Sequence, residues 1–287
     1  MVISGTILAL ISLLVTSQSG FDVADILYGT TKSPISDTER HILRLLLLLN
    51  QVGLFLFPAI LFVLFLKPRE TFSTYYSLKK FPDFSTISRN MLWFLIAMPA
   101  ISFAYVVNKS IPLPSWMTRL EDQSATALKL LLGGNNIVEF ILNFLLIAVL
   151  APLAEELIFR GILQKELSIL IKKSHLSIWL AAMIFSAIHF QFEGFIPRMM
   201  LGVMLGYVYF WSGSLWTSII CHSFVNGSQL IVQYFIDPTM VDSSIDTKFD
   251  FHWSVGIIFV VITFGMGYLF NQKYNTAEVA PNQSTLE

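Results

Sequence analysis

The chain has 287 residues, of which 55% are hydrophobic and 13% charged, where an ordinary soluble domain carries about 25% charged residues. A soluble core of this length cannot hide so much apolar surface, and the mean hydropathy of +0.67 points to a chain that uses lipid as its solvent. The 18 Lys and Arg against 19 Asp and Glu leave a net charge of −1, which excludes a nucleic-acid partner, and the single cysteine, Cys221, excludes an internal disulfide framework.

Apolar stretches of the roughly 17–25 residues that cross hydrocarbon predict about eight spans. They lie near residues 2–15, 45–66, 91–107, 137–159, 176–192, 195–211, 215–235 and 253–270. The expected fold is therefore all-α, a polytopic membrane helical bundle. The first span is short, lacks a basic segment before it and ends in Thr16-Ser17-Gln18-Ser19-Gly20. It is read as a membrane helix, with a cleaved signal peptide as the alternative. Between the third and fourth spans, Ile111-Pro112-Leu113-Pro114-Ser115-Trp116 and the mixed stretch ending at Gly133-Gly134 predict an interfacial helix with an aromatic anchor and a glycine stop. The chain after Asn271 is polar and predicted to be disordered. Three regions follow: 1–135 with the N-terminal helices and interfacial segment, 136–235 as the core, and 236–287 with the last span and tail.

Excess Lys and Arg marks the cytoplasmic side. Lys67, Arg69, Lys79, Lys80 and Arg89 fill one connection and Lys165, Lys172 and Lys173 another, while Asp237, Asp242, Asp246 and Asp250 face a lone Lys248 in the last. An integral protein of the cell membrane with both termini cytoplasmic is expected.

An ionisable residue inside a span costs about 2.5–3.5 kcal/mol on insertion scales, so each one asks for a reason. Arg44 and Glu139 stand near span ends and are expected to reach the interface. The others gather in the second half: Glu155, Glu156 and Arg160, then His189, Arg198, and His222 with Asn226. On a helix Glu156 and Arg160 share a face and can pair, while Glu155 points about 100° away and keeps its carboxylate free. Pro152 cannot donate to the carbonyl four residues back, which should kink the helix and expose an acceptor there to water. The midpoint of Glu155 and His189 is residue 172, so a turn at Lys172-Lys173 would set the two level. His222 lies about eight residues beyond the Gly213-Ser214 turn, roughly 12 Å of helix, which predicts a site on the order of 10 Å below the cytoplasmic surface.

These residues resemble the signature of the CPBP family of intramembrane proteases, which includes the type II CAAX prenyl endopeptidases and relatives named for bacteriocin processing or lysostaphin resistance. Glu155-Glu156-Leu157-Ile158-Phe159-Arg160 matches its first motif, Phe185 to His189 its second and His222 to Asn226 its third. The resemblance covers about residues 136–235 and implies a catalytic core. By that resemblance Glu155 and His189 activate a water, His222 and Asn226 stabilise the oxyanion, and Glu156 and Arg160 support the site. It also implies a peptide or lipidated protein substrate, such as a prenylated CAAX-type chain, reached from membrane lipid.

The residue types agree with amide hydrolysis, since a base and an oxyanion donor are each worth on the order of 10²–10⁴ in rate. The resemblance favours a metal-independent glutamate mechanism, but Glu155, His189 and His222 also form a His₂Glu set of the kind that binds catalytic zinc, so zinc as a cofactor and a metallo mechanism stay open. A different class of reading remains too: a transporter with an acid–histidine proton relay, or an immunity protein that binds a peptide. Other polar residues have simpler expected roles. Arg198 should pair with Glu193, Asn50 and Gln51 should be polar glue between helices, Gly202 and Gly206 should mark close helix packing, and Cys221 should be core.

Overall fold

A computed structural model describes residues 35–134, 136–236 and 253–279. The first expected span and the acidic stretch 237–250 lie outside them. The described residues form helices joined by short turns, with no strand among them. In chain order these are α1 (Asp37–Leu66), α2 (Phe72–Tyr75), α3 (Phe84–Lys109), α4 (Ser115–Leu132), α5 (Ile137–Ile171), α6 (Ser174–Ala187), α7 (Phe195–Ser212), α8 (Leu215–Ile231) and α9 (Trp253–Val279). The all-α membrane architecture is as expected.

Among the described residues, four helices are long and apolar enough to cross a membrane: α1, α3, α5 and residues Trp253–Gln272 of α9. The expected spans at 176–192, 195–211 and 215–235 appear as the shorter or more polar helices α6, α7 and α8. The physical reason for α8 is its cargo of buried polar groups, Thr217, Ser218 and His222. The helix expected between the third and fourth spans is present as α4, Ser115–Leu132. The tail begins later than expected, because α9 continues through Val279.

Local chemistry sets the helix ends. Ser36 and Glu39 form a reciprocal capping box at the start of α1, Asp83 accepts from the Thr86 N–H at 2.8 Å, and Asn136 accepts from the Glu139 N–H at 2.9 Å. Lys172 at φ 57° and Gly213 at φ 63° end α5 and α7 in left-handed turns, at the two places the sequence marked.

α1 and α5 lie side by side and run in the same direction. Their contacts rise together along both chains: Arg44 with Glu139, Gln51 with Glu155, Phe55 with Phe159, Lys67 with Glu166. Arg44 and Glu139, expected at the interface, instead form a buried pair. Arg40 also approaches Glu139, and the Arg44 Nε–H donates to Asn143 at 2.8 Å. Glu139 thus faces two guanidiniums, which offsets the cost of taking its charge out of water.

α7 packs along α6, α8 and α3, and α9 lies on α3. Gly202 and Gly206 do mark close packing. A Cβ on Gly202 would stand 3.0 Å from Ala182 Cβ, and one on Gly206 only 2.8 Å from Ile178 Cγ2. That closeness opens two carbonyls of α7 to α5. Arg160 donates to the Gly202 carbonyl at 2.9 Å and Gln164 to the Gly206 carbonyl at 3.1 Å, matching a four-residue step on one helix with a four-residue step on the other.

Candidate active site

Glu156 is the hub of the polar cluster. Its Oε1 accepts from Arg160 at 2.5 Å and from His222 Nδ1 at 2.8 Å, and its Oε2 accepts from the Ser218 hydroxyl at 2.5 Å. It is fully buried, and Arg160 and His222 are 1% and 2% exposed. A buried carboxylate with three donors, one of them a guanidinium, satisfies the condition under which such a charge is tolerated. Arg160 is held again from above, its guanidinium 4.8 Å from the centre of the Phe185 ring. The Glu156–Arg160 pair was legible from spacing; Ser218 was not, because it stands 62 residues away on α8.

Glu155 is the contrast. It is buried, yet its Oε2 has only His222 Nε2 at 3.9 Å, beyond hydrogen-bonding distance, and its Oε1 has only the Gln51 amide at 3.4 Å. His222 therefore stands between the two carboxylates, with Nδ1–H on Glu156 and Nε2 turned towards Glu155. The partner on Nδ1 decides the tautomer: Nε2 is an acceptor in the neutral ring and a donor only in the imidazolium.

His189 follows the end of α6. Its Nδ1 donates to the Phe185 carbonyl at 2.7 Å, which leaves Nε2 free. The Phe185 ring touches both histidines edge-on, with centroids 4.9 Å from His189 and 5.9 Å from His222. Phe190, directly after His189, has φ 54°, a strained setting for a bulky residue. The surroundings hold it there. Asn108 on α3 donates to the Phe192 carbonyl at 2.7 Å and accepts from the Ile196 N–H at 2.8 Å, and Ser186 donates to the Phe195 carbonyl. Arg198 donates to the side chain and carbonyl of Gln191, where a pair with Glu193 was expected. The turn after His189 brings Gln191 back over α7, so the nearer acceptors win.

Asn226 sits one turn beyond His222 and donates from Nδ2 to the Ile147 carbonyl at 3.0 Å. The cause lies in Pro152. Across Leu145–Leu150 the helix opens into a wide turn in which the Ala151 N–H reaches back five residues to Leu146. The next link in that register would run from residue 152 to Ile147, and proline has no N–H to make it. The acceptor exposed by Pro152 thus lies five residues back, not four, and a side-chain amide takes the place expected for water. One of the two Nδ2 hydrogens remains for another acceptor.

Among the described residues no group of three or more His, Cys, Asp and Glu is arranged to hold a metal ion. Glu155, His189 and His222 as placed do not fit a three-ligand zinc site, and no step below is routed through one. Cys221 is buried in the core with Trp93, Phe94 and Val225, as expected. A separate aromatic groove lined by Trp93, Trp179, Tyr207 and Trp211 shares no residue with the carboxylate–histidine cluster.

Residues 137–228 match the family described as type II CAAX prenyl endopeptidase Rce1-like. That segment holds all three motifs and agrees with the resemblance to CPBP proteases. A curated relative, "Uncharacterized protein YpbD" of Bacillus subtilis (strain 168), is 30% identical over 88 residues, covering 29% of this chain and 42% of that protein. The chain thus spans less than half of that relative's length. No solved structure matches.

Proposed function

We propose that this chain, whose residues 137–228 carry the Rce1-like type II CAAX prenyl endopeptidase match, is an intramembrane endopeptidase that hydrolyses a peptide bond of a membrane-associated substrate. The observation that carries the reading is the unequal pair of neighbouring acids. Glu156 is saturated by three donors and Glu155 is left nearly bare beside an imidazole.

Charge counting gives each group its task. Glu156 and Arg160 cancel, so an imidazolium at His222 is balanced by a carboxylate at Glu155. In that state Glu155 takes a proton from water, and the hydroxide formed attacks the substrate carbonyl carbon. The oxyanion is met by His222 Nε2–H and by the remaining Nδ2 hydrogen of Asn226. Collapse of the tetrahedral intermediate breaks the C–N bond, and the proton held by Glu155 passes to the leaving amine. His189, whose free Nε2 is an acceptor, aligns the N–H of the scissile amide beside the water held at Glu155. Glu156 and Arg160 position His222 and touch no reacting atom.

A prenylated CAAX-type chain is the substrate class that the family match suggests. The protein would take it laterally from lipid. Lys67, Lys165, Lys172 and Lys173 stand at the same end of the parallel pair α1 and α5, which supports cytoplasmic termini by the excess of positive charge at that end.

The test is a proteomic comparison of cells carrying wild type and Glu155→Gln, with insertion checked by melting of the purified proteins. A membrane-associated peptide that stays uncleaved in the variant is expected. Full biological function in Glu155→Gln would reject the protease and favour a binding role.

A further inference from the structure

Gln51 lies on α1, 86 residues before the segment that carries the family match begins, yet its side chain enters the site. Its Nε2 is 3.4 Å from Glu155 Oε1, and its own Oε1 is buried with no hydrogen-bond partner. A buried amide oxygen without a donor costs about 1–3 kcal/mol, so a side chain that uses one end of its amide and strands the other is not explained as glue between helices. The stranded acceptor and the bare carboxylate lie side by side. Between them they present what a water in need of two acceptors requires.

The placement is built by α1 itself. The helix opens into a wide turn over Val52–Leu56, directly after Gln51, where the Phe57 N–H reaches five residues back to Val52 ahead of Pro58. Such wide turns are frequent at functional sites, and α5 carries two of them, one on each side of Glu155 and Glu156. On its flanks α1 is fixed to α5 by the buried Arg44–Glu139 pair and by the Phe55–Phe159 ring contact, with centroids 6.1 Å apart.

We propose that Gln51 is a member of the reaction centre: its amide N–H holds one oxygen of Glu155, and its Oε1 accepts one hydrogen of the attacking water while Glu155 takes the other. The first half of the chain then supplies a working group to a centre otherwise built from α5, α6 and α8. This rests on the assignment of Glu155 as the base, and its test is chosen to read without any substrate.

Purified full-length protein in lipid nanodiscs is titrated by difference infrared spectroscopy, with the Glu155 carboxyl band assigned by its loss in Glu155→Gln. Gln51→Met keeps the length of the side chain and removes both hydrogen-bonding ends. Loss of one donor to a charged acceptor should move the midpoint of that band to higher pH by about one unit. Gln51→Glu, which sets a second acid beside the first, should move it further. If Gln51→Met melts far below wild type, Gln51→Glu serves as the readout. A midpoint in Gln51→Met that equals wild type, or a Glu155 band that never appears in either protein, overturns the proposal. Loss of peptidase function is a separate result: a protein that shows the shift but cleaves nothing retains the Gln51–Glu155 contact and rejects only the endopeptidase.

Discussion

Asn226 has two claims on it, one chemical and one structural, and a double-mutant cycle separates them. The structural claim is that Nδ2 caps the Ile147 carbonyl because Pro152 cannot. Asn226→Ala then leaves a half-buried acceptor without its partner, at a cost of about 1–2 kcal/mol, the lower part of the range for such groups because water reaches part of the site. Pro152→Ala restores an N–H in the register that Ala151 already follows, so residue 152 can reach Ile147 itself. In that background Asn226→Ala should cost less than about 0.5 kcal/mol, giving a coupling of about 1 kcal/mol. Stability is measured by chemical denaturation or melting in one detergent for all four proteins. Equal losses in both backgrounds would refute the capping account. Turnover reads the other claim: an oxyanion donor makes Asn226→Ala slow by on the order of 10²-fold whichever residue stands at 152.

Three further outcomes follow from the same geometry. Gly161→Ala would place a Cβ 2.4 and 2.6 Å from the ring of Tyr76, which is fully buried and fixed by its hydroxyl on the Ala59 carbonyl at 2.7 Å. Overpacking of about 1–3 kcal/mol outweighs the roughly 1 kcal/mol that alanine gains in helix propensity, so the melting point falls; a variant as stable as wild type would contradict the packing. Burial pushes the Glu121 carboxyl on α4 above its ordinary range, although it accepts the Glu193 N–H at 3.2 Å. A raised folded value means stability present at low pH and lost as pH rises through it, so Glu121→Gln, which keeps the acceptor, should melt higher at neutral pH and lose that slope. Stringent chelation should leave peptidase activity intact, as the donor set does not assemble three ligands; stoichiometric zinc together with complete loss on chelation would restore the metallo mechanism.

The site was legible where it depends on one helix or one turn. The Glu156–Arg160 pair follows from a spacing of four, and the turn at Lys172 stands in the basic connection midway between Glu155 and His189. What was hidden depends on partners far away in the chain. Ser218 finds Glu156 across 62 residues, and Asn108 finds the turn after His189 across 84. Arg44 and Glu139 each sit near the end of an apolar run, where reaching for water is the economical expectation; only the side-by-side placement of α1 and α5 shows that they face each other. Nothing in the periodicity of either helix says which of its faces meets the other.

The wide turns explain why periodicity falls short. Arg44 and Gln51 are seven residues apart, which on a regular helix places them within about 20° of one face. Their partners on α5, Asn143 and Glu155, are twelve apart, and at 3.6 residues per turn they would diverge by about 120°. A regular α5 could therefore satisfy Arg44 or Gln51 but not both. Leu145–Leu150 lies between the two partners and takes up about one extra residue, which turns everything after it back by about 100° and leaves Asn143 and Glu155 within about 20°. The opening, the amide of Asn226 that closes the carbonyl Pro152 leaves unpaired, and the carboxylate that arrives on the Gln51 face belong to one local stretch of α5. In this chain the opened turn at Leu145–Leu150 sets Glu155 on the Gln51 face, and Pro152 leaves a carbonyl for Asn226 to close rather than a kink that admits water.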